Sequence, residues 1–130
     1  MVPRPGTYAR SIGHDPHAAY PRRPAGSHPS SPDGTRLDLA VQTFALLADR
    51  TRLLIVWHLR GRELSVNEIA GRVDKSPATV SQHLGKLRLA GIVSPRRDGN
   101  FIHYRLTDDH IAEVVEDAVY HAEHLQPGDA

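Results

Sequence analysis

From Arg36 onward apolar residues recur at three- and four-residue steps: Leu37, Ala40, Val41, Phe44, Leu47 and Ala48 form one stripe. That period predicts an amphipathic helix burying most of its length, with Asp33 or Thr35 as its cap. A second helix opens at Thr51. There Leu53, Leu54, Val56, Trp57 and Leu59 are apolar nearly all round, and Arg60-Gly61 ends the run with glycine in a C-cap position, so this reads as the central core helix. His58 within it reads as a half-buried histidine satisfied locally, because no second ligand lies at matching spacing. Ser65 to Val73 forms a short third helix with Val66, Ile69, Ala70 and Val73 inward, and Asp74-Lys75 turns the chain. Ser76-Pro77 starts a fourth, serine as cap and proline at the first helical position, with Val80, Leu84 and Leu87 as its buried stripe.

After Gly91 the period falls to two. Ile92 to Arg97 and Phe101 to Leu106 read as strands joined by a hairpin turn at Asp98-Gly99-Asn100. A last helix follows from Asp108 to His124, with Ile111, Val114, Val115, Ala118 and Ala122 inward and Asp109, Glu113, Glu116 and Glu123 on the surface. Tyr120 belongs to its packing. The fold class is therefore mainly α with a small β-hairpin, in three parts: an arm over 1–34, a folded domain over 35–125 and a short tail over 126–130. The arm holds seven of the ten prolines and almost no aliphatic residues, the composition of a disordered segment.

Two short helices joined by a tight turn, the second polar on its outer face, describe a helix-turn-helix. That face presents Thr79, Gln82, His83 and Lys86, with Ser76 and Ser81 nearby: hydroxyls, an amide and a cation able to bond base edges or phosphates. The hairpin is then a wing, and Arg96 and Arg97 near its tip are placed for phosphates or the minor groove. A formal charge of +1 conceals a polarised chain, since the segment from Lys75 to Arg97 is basic and that from Asp108 to Glu123 acidic.

Three histidines punctuate the last helix. His110, His121 and His124 lie eleven and then three residues apart, close to one stripe. At ~1.5 Å rise per residue the first two stand roughly 16 Å apart along the axis, whereas ligands must all lie about 2 Å from one ion. One chain cannot close such a site. An antiparallel pair of these helices would bring Asp108 and His110 of one copy beside His121 and His124 of the other, giving two equivalent sites in a homodimer. Asp108 also suits the helix cap, a role compatible with ligation.

Composition sets further bounds. At 130 residues there is room for one domain, and 39% hydrophobic with 24% charged residues is ordinary for a globular chain. Without cysteine, any metal must be held by histidine and carboxylate. No apolar run approaches a membrane span and the first residues lack a signal-peptide core, which predicts a cytoplasmic protein with no membrane partner. Three imidazoles and a carboxylate suit four-coordinate Zn2+, slightly ahead of Ni2+ or Co2+, which would want extra donors such as His14 and His17 of the arm.

The runs ALLADRTRLLIVWHL, LSVNEIAGRV, SPATVSQHLGKLRLAGIV and RRDGNFIHYRL together resemble the ArsR/SmtB family of dimeric winged-helix metal-sensing repressors, over about Leu37 to Leu125. The resemblance implies a winged helix-turn-helix homodimer with the C-terminal helix at the interface. It also implies that the apo dimer binds operator DNA and releases it when a divalent metal binds between the C-terminal helices, controlling metal efflux or homeostasis genes. Asp108, His110, His121 and His124 all match the family's inter-subunit site. The family's cysteine pair before the recognition helix is absent, the matching stretch being Glu63 to Glu68, which disfavours sensing of arsenic, cadmium or lead through thiolates. Two other readings compete. A repressor governed by a partner protein would leave the histidines incidental. A small metalloenzyme would need an open metal position and a substrate cleft, and four protein ligands leave no room for activated water; no small-molecule substrate is expected.

Overall fold

The computed structural model describes residues 31–125; the arm up to Ser30, with His14 and His17, and the tail from Gln126 lie outside them. In chain order the described elements are α1 (Gly34–Leu47), α2 (Arg50–His58), β1 (Leu64–Ser65), α3 (Val66–Val73), α4 (Pro77–Leu89), β2 (Val93–Asp98), β3 (Phe101–Leu106) and α5 (Asp109–Glu123). By its contacts the chain divides between Val41 and Gln42, inside α1. Of the N-terminal unit only the start of α1 is described. Asp33 Oδ1 accepts the Arg36 N–H at 2.8 Å there, so Asp33 performs the capping that the sequence offered equally to Thr35. The expectation that α1 buries most of its length is not met. Leu47 alone of its residues is buried, while Leu37, Leu39, Val41 and Phe44 are exposed. Apolar periodicity reports that a face needs cover; it does not say which chain supplies it.

The second unit holds the core. Ile55, Val56, Leu59, Ile69, Val80, Leu84, Leu87, Ile92 and Val115 are almost wholly removed from water. Each such aliphatic side chain contributes on the order of 1.5–3 kcal/mol by leaving water. The boundaries follow local chemistry. Asp49 caps α2 through the Arg52 N–H, so the helix begins at Arg50, one residue before Thr51, and Leu59 is the C-cap, with Gly61 two residues on at φ +67°. Ser65 and Glu68 form a reciprocal capping box on α3, and Asp74 closes it in the left-handed region, φ 56° and ψ 49°, with its N–H on the Ala70 carbonyl. Strand β1 pairs with β3, so the wing is a three-stranded antiparallel sheet in the order β1-β3-β2. A strand of two residues offers too little periodicity to be read in advance.

Glu116 is the other departure. It is 1% exposed, although its place on an acidic helix assigned it to the surface. Its Oε1 stands 3.8 Å from Nη1 of Arg60, whose guanidinium lies 3.3 Å over the Trp57 ring and whose Nε donates to the Trp57 carbonyl at 2.9 Å. This is an ion pair rather than a hydrogen bond, and Nη1 makes no hydrogen bond among the described residues. Burial pulls the Arg60 guanidinium below its ordinary value, and Glu116 and Tyr120 oppose that pull. His58, half-buried near Arg72, Arg62 and Arg60, is pushed toward its neutral form first by burial and then by those cations.

Arg60→Met should destabilise the protein by ~3–5 kcal/mol, because it leaves a buried carboxylate without the cation that faces it, and the double change Arg60→Met with Glu116→Leu should recover most of the loss. Urea unfolding of the three forms measures this; a single change that costs no more than the double would contradict the pairing.

Candidate nucleic-acid interface and metal centre

Helix α4 is positioned by its buried edge. With Val80, Leu84 and Leu87 at zero exposure, the helical period forces Ser81, Gln82, Gly85, Lys86, Arg88 and Leu89 outward, where they line a shallow open depression. Ser81, Gln82 and Lys86 thus stand where the sequence placed them. Arg88 and Leu89 were not anticipated, although Ser81, Gly85 and Arg88 follow the same four- and three-residue steps that identified the buried face. Leu89 is 91% exposed.

Three candidates are less available than their spacing implied. Ser76 is the N-cap: its Oγ accepts the Thr79 N–H at 3.1 Å and donates to Thr79 Oγ1 at 2.9 Å. The pair therefore spends its hydroxyls on starting the helix. His83, expected on the open face, is half-buried, with Nδ1 3.3 Å from Nη1 of Arg52. Arg52 also donates from Nε to the Leu46 carbonyl at 2.6 Å and lies 3.7 Å from Asp49 Oδ2. The Arg52 backbone N–H holds the Asp49 carboxyl below its ordinary value; desolvation opposes it and the nearby Arg52 guanidinium adds to it.

In the wing, Asp98 pairs with Phe101, leaving Gly99-Asn100 as a two-residue loop with φ +62° at Gly99 and no positive φ at Asn100. A first central glycine of this kind matches the strand twist in a type II′ turn. Adjacent residues on β2 face opposite ways. Arg97 shares the side of buried Val93 but lies past the core's edge, exposed. Arg96 turns the other way, its Nη2 2.7 Å from Glu63 Oε1 and its Nε 2.8 Å from the same oxygen. The bond lowers the Glu63 carboxyl and raises the Arg96 guanidinium relative to their ordinary values. Much of the charge at Arg96 is therefore already matched.

The four metal candidates sit at the two ends of α5. Asp108 caps the helix, its Oδ1 accepting from His110 N at 2.9 Å and Ile111 N at 3.4 Å, so that both cap bonds fall on one carboxylate oxygen. His121 and His124 are exposed at the other end, where His124 is the C-cap. Among the described residues no three His, Asp or Glu side chains converge within one chain. Two half-sets of hard and borderline donors, one carboxylate with an imidazole and one imidazole pair, fit a divalent transition metal only when two copies of α5 meet.

The bacterial regulatory protein model of the arsR family matches residues 49–94, which run from the α2 cap into the wing. The chain is 48% identical over 104 residues to the HTH-type transcriptional regulator KmtR of Mycobacterium tuberculosis, covering 80% of each chain. It is 36% identical over 114 residues to the HTH-type transcriptional repressor SmtB of the same organism, covering 88% of this chain and 84% of the relative. In structure it is similar to the homodimeric winged helix-turn-helix DNA-binding domain of a possible ArsR-family transcriptional regulator from Mycobacterium bovis, with TM-score 0.66, 27% identity, and coverage of 79% of this chain and 98% of that one.

Replacing Lys86 or Arg97 by alanine should weaken binding to all duplex sequences alike and lower the salt slope by about one each. Arg96→Ala should change the slope less, because Glu63 already offsets that charge. Salt-dependent anisotropy titrations check the order, and equal slopes for Arg96→Ala and Arg97→Ala would contradict it.

Proposed function

The chain belongs to the arsR family of bacterial regulatory proteins, and from that premise we propose a cytoplasmic homodimer that represses by operator binding and lets go when a divalent transition metal bridges its two α5 helices. That it is a DNA-binding transcriptional regulator and not an enzyme follows from the family itself. The observation that carries the metal reading is the separation of Asp108 and His110 from His121 and His124 by the length of α5, at whose two ends they lie exposed. A site of this kind is completed only by His121 and His124 of the partner subunit. The exposed stripe of α1 supports the same assembly, since Leu37, Val41 and Phe44 stand exposed among the described residues.

When bound, the ion would supply a cross-link between the two subunits. The protein's own residues do the rest. Asp108 keeps one oxygen on the helix N-terminus and has the other for ligation, so capping and binding can coexist. Repressor geometry then depends on how the two α4 helices are spaced for successive major grooves, and a dimer tied through α5 favours a different spacing. Linkage makes the effect mutual: operator DNA weakens metal binding by the factor by which metal weakens DNA binding, typically worth ~1–3 kcal/mol. The N3O donor set favours Zn2+ slightly over Ni2+ and Co2+; His14 and His17, beyond the described residues, are the candidates for extra donors if six-coordinate ions are preferred.

Labelled operator titrated with and without Zn2+, Ni2+ and Co2+ should lose affinity with at least one ion, and unchanged affinity with all three would overturn the proposal. His121→Ala should abolish that response and leave binding of the metal-free protein intact. Loss of both would make the residue structural rather than a ligand.

A further inference from the structure

Arg52 lies where the end of α1, the start of α2 and the middle of α4 meet. Its side chain is 14% exposed. Nε is committed to the Leu46 carbonyl, and Nη1 stands between Asp49 Oδ2 and Nδ1 of His83 at 3.7 and 3.3 Å. A guanidinium has five N–H donors and no acceptor, and it keeps its proton in proteins. The contact to His83 can therefore form in one way only, with Nδ1 offering a lone pair. The ring proton then sits on Nε2, because the bond made by one imidazole nitrogen sets the state of the other.

Such a ring is a defined reader. Nε2–H is a single donor at the tip of a side chain on the helix that also presents Gln82 and Lys86. It carries no full charge, so it adds little to the attraction for phosphates. What it can discriminate is the pattern of acceptors in the major groove, guanine O6 and N7, adenine N7 or thymine O4 against the amino groups of cytosine and adenine. Asp49 Oδ2 lies 3.7 Å from the same Nη1, and the bond from Nε to the Leu46 carbonyl leaves the guanidinium little freedom to swing away.

We propose that Arg52 is a positioning residue for base recognition: it holds His83 with the proton on Nε2, so that α4 offers one fixed hydrogen-bond donor to an acceptor on a base edge. This rests on the reading that α4 enters the major groove. It adds to that reading a residue of α2 that touches no DNA itself.

The test uses the full chain. Long-range 1H–15N spectra of histidine-labelled protein should give the Nε2–H tautomer for His83 and a mixture in Arg52→Met; a wild-type ring protonated on Nδ1 overturns the proposal. In operator binding, His83→Gln, whose amide lies near the Nε2 position, should stay within about threefold of wild type. His83→Asn, whose amide reaches only the Nδ1 level, should lose about tenfold on the operator and discriminate less at one base pair in a panel of single-base variants. If both variants bind like wild type across the panel, or if His83→Asn weakens every sequence equally, His83 does not read a base and the proposal falls. Gln82→Ala and Lys86→Ala separate this failure from that of the reading beneath it, because both would leave DNA binding unchanged only if α4 were not the recognition helix.

Discussion

Burying Val80, Leu84 and Leu87 along one edge of α4 fixes more of this molecule than any other contact. All three have zero exposure, and together they are worth several kcal/mol, ~1.5–3 for each side chain. Rotating the helix to free a different face would forfeit that burial, so the identity of the outward side chains is settled by the inward ones. The cap at Ser76 and the Pro77 start add a fixed origin to the helix. Everything proposed for DNA recognition depends on this one orientation: which residues face outward, how far Arg52 must reach to touch His83, and where the wing emerges after Ile92.

Three arginines are used here to join elements of the protein to one another. Arg52 ties α2 to α4, Arg60 reaches Glu116 on α5, and Arg96 joins β2 to Glu63 before β1. In each case a charge that composition would assign to solvent or phosphate instead fixes one element against another. The consequence for function is a division of labour. Lys86, Arg88 and Arg97 stay open to a polyanion, while the paired arginines set the geometry in which those open charges and Gln82 are offered. The one with a buried partner, Arg60–Glu116, adds little net stability, because desolvation offsets attraction, but removing one partner is costly. It therefore specifies arrangement more than it stabilises it.

Helix α5 carries two tasks that pull in different directions. Val115 and Glu116 hold it to the core, while its two ends carry the proposed ligand half-sets. A regulator needs such an element, secured in the middle and sensitive at both ends, if a bridge between subunits is to be felt by the DNA-binding helices.

The sequence by itself determined the helix-turn-helix, the hairpin and its turn, the cap at Ser76 and the cap offered by Asp108, and that Asp108 and His110 lie too far along one helix from His121 and His124 to share an ion, because each rests on local period or on helical rise. Family resemblance was legible for the same reason: its motifs are contiguous runs. Tertiary structure alone decided that Glu116 is buried, that Arg96 is matched by Glu63 thirty-three residues away, that His83 lies beside Arg52, and that the apolar stripe of α1 is exposed among the described residues. Those outcomes depend on which surfaces meet after folding, and hydrophobic period and residue type carry no information about a partner distant in sequence or on another copy.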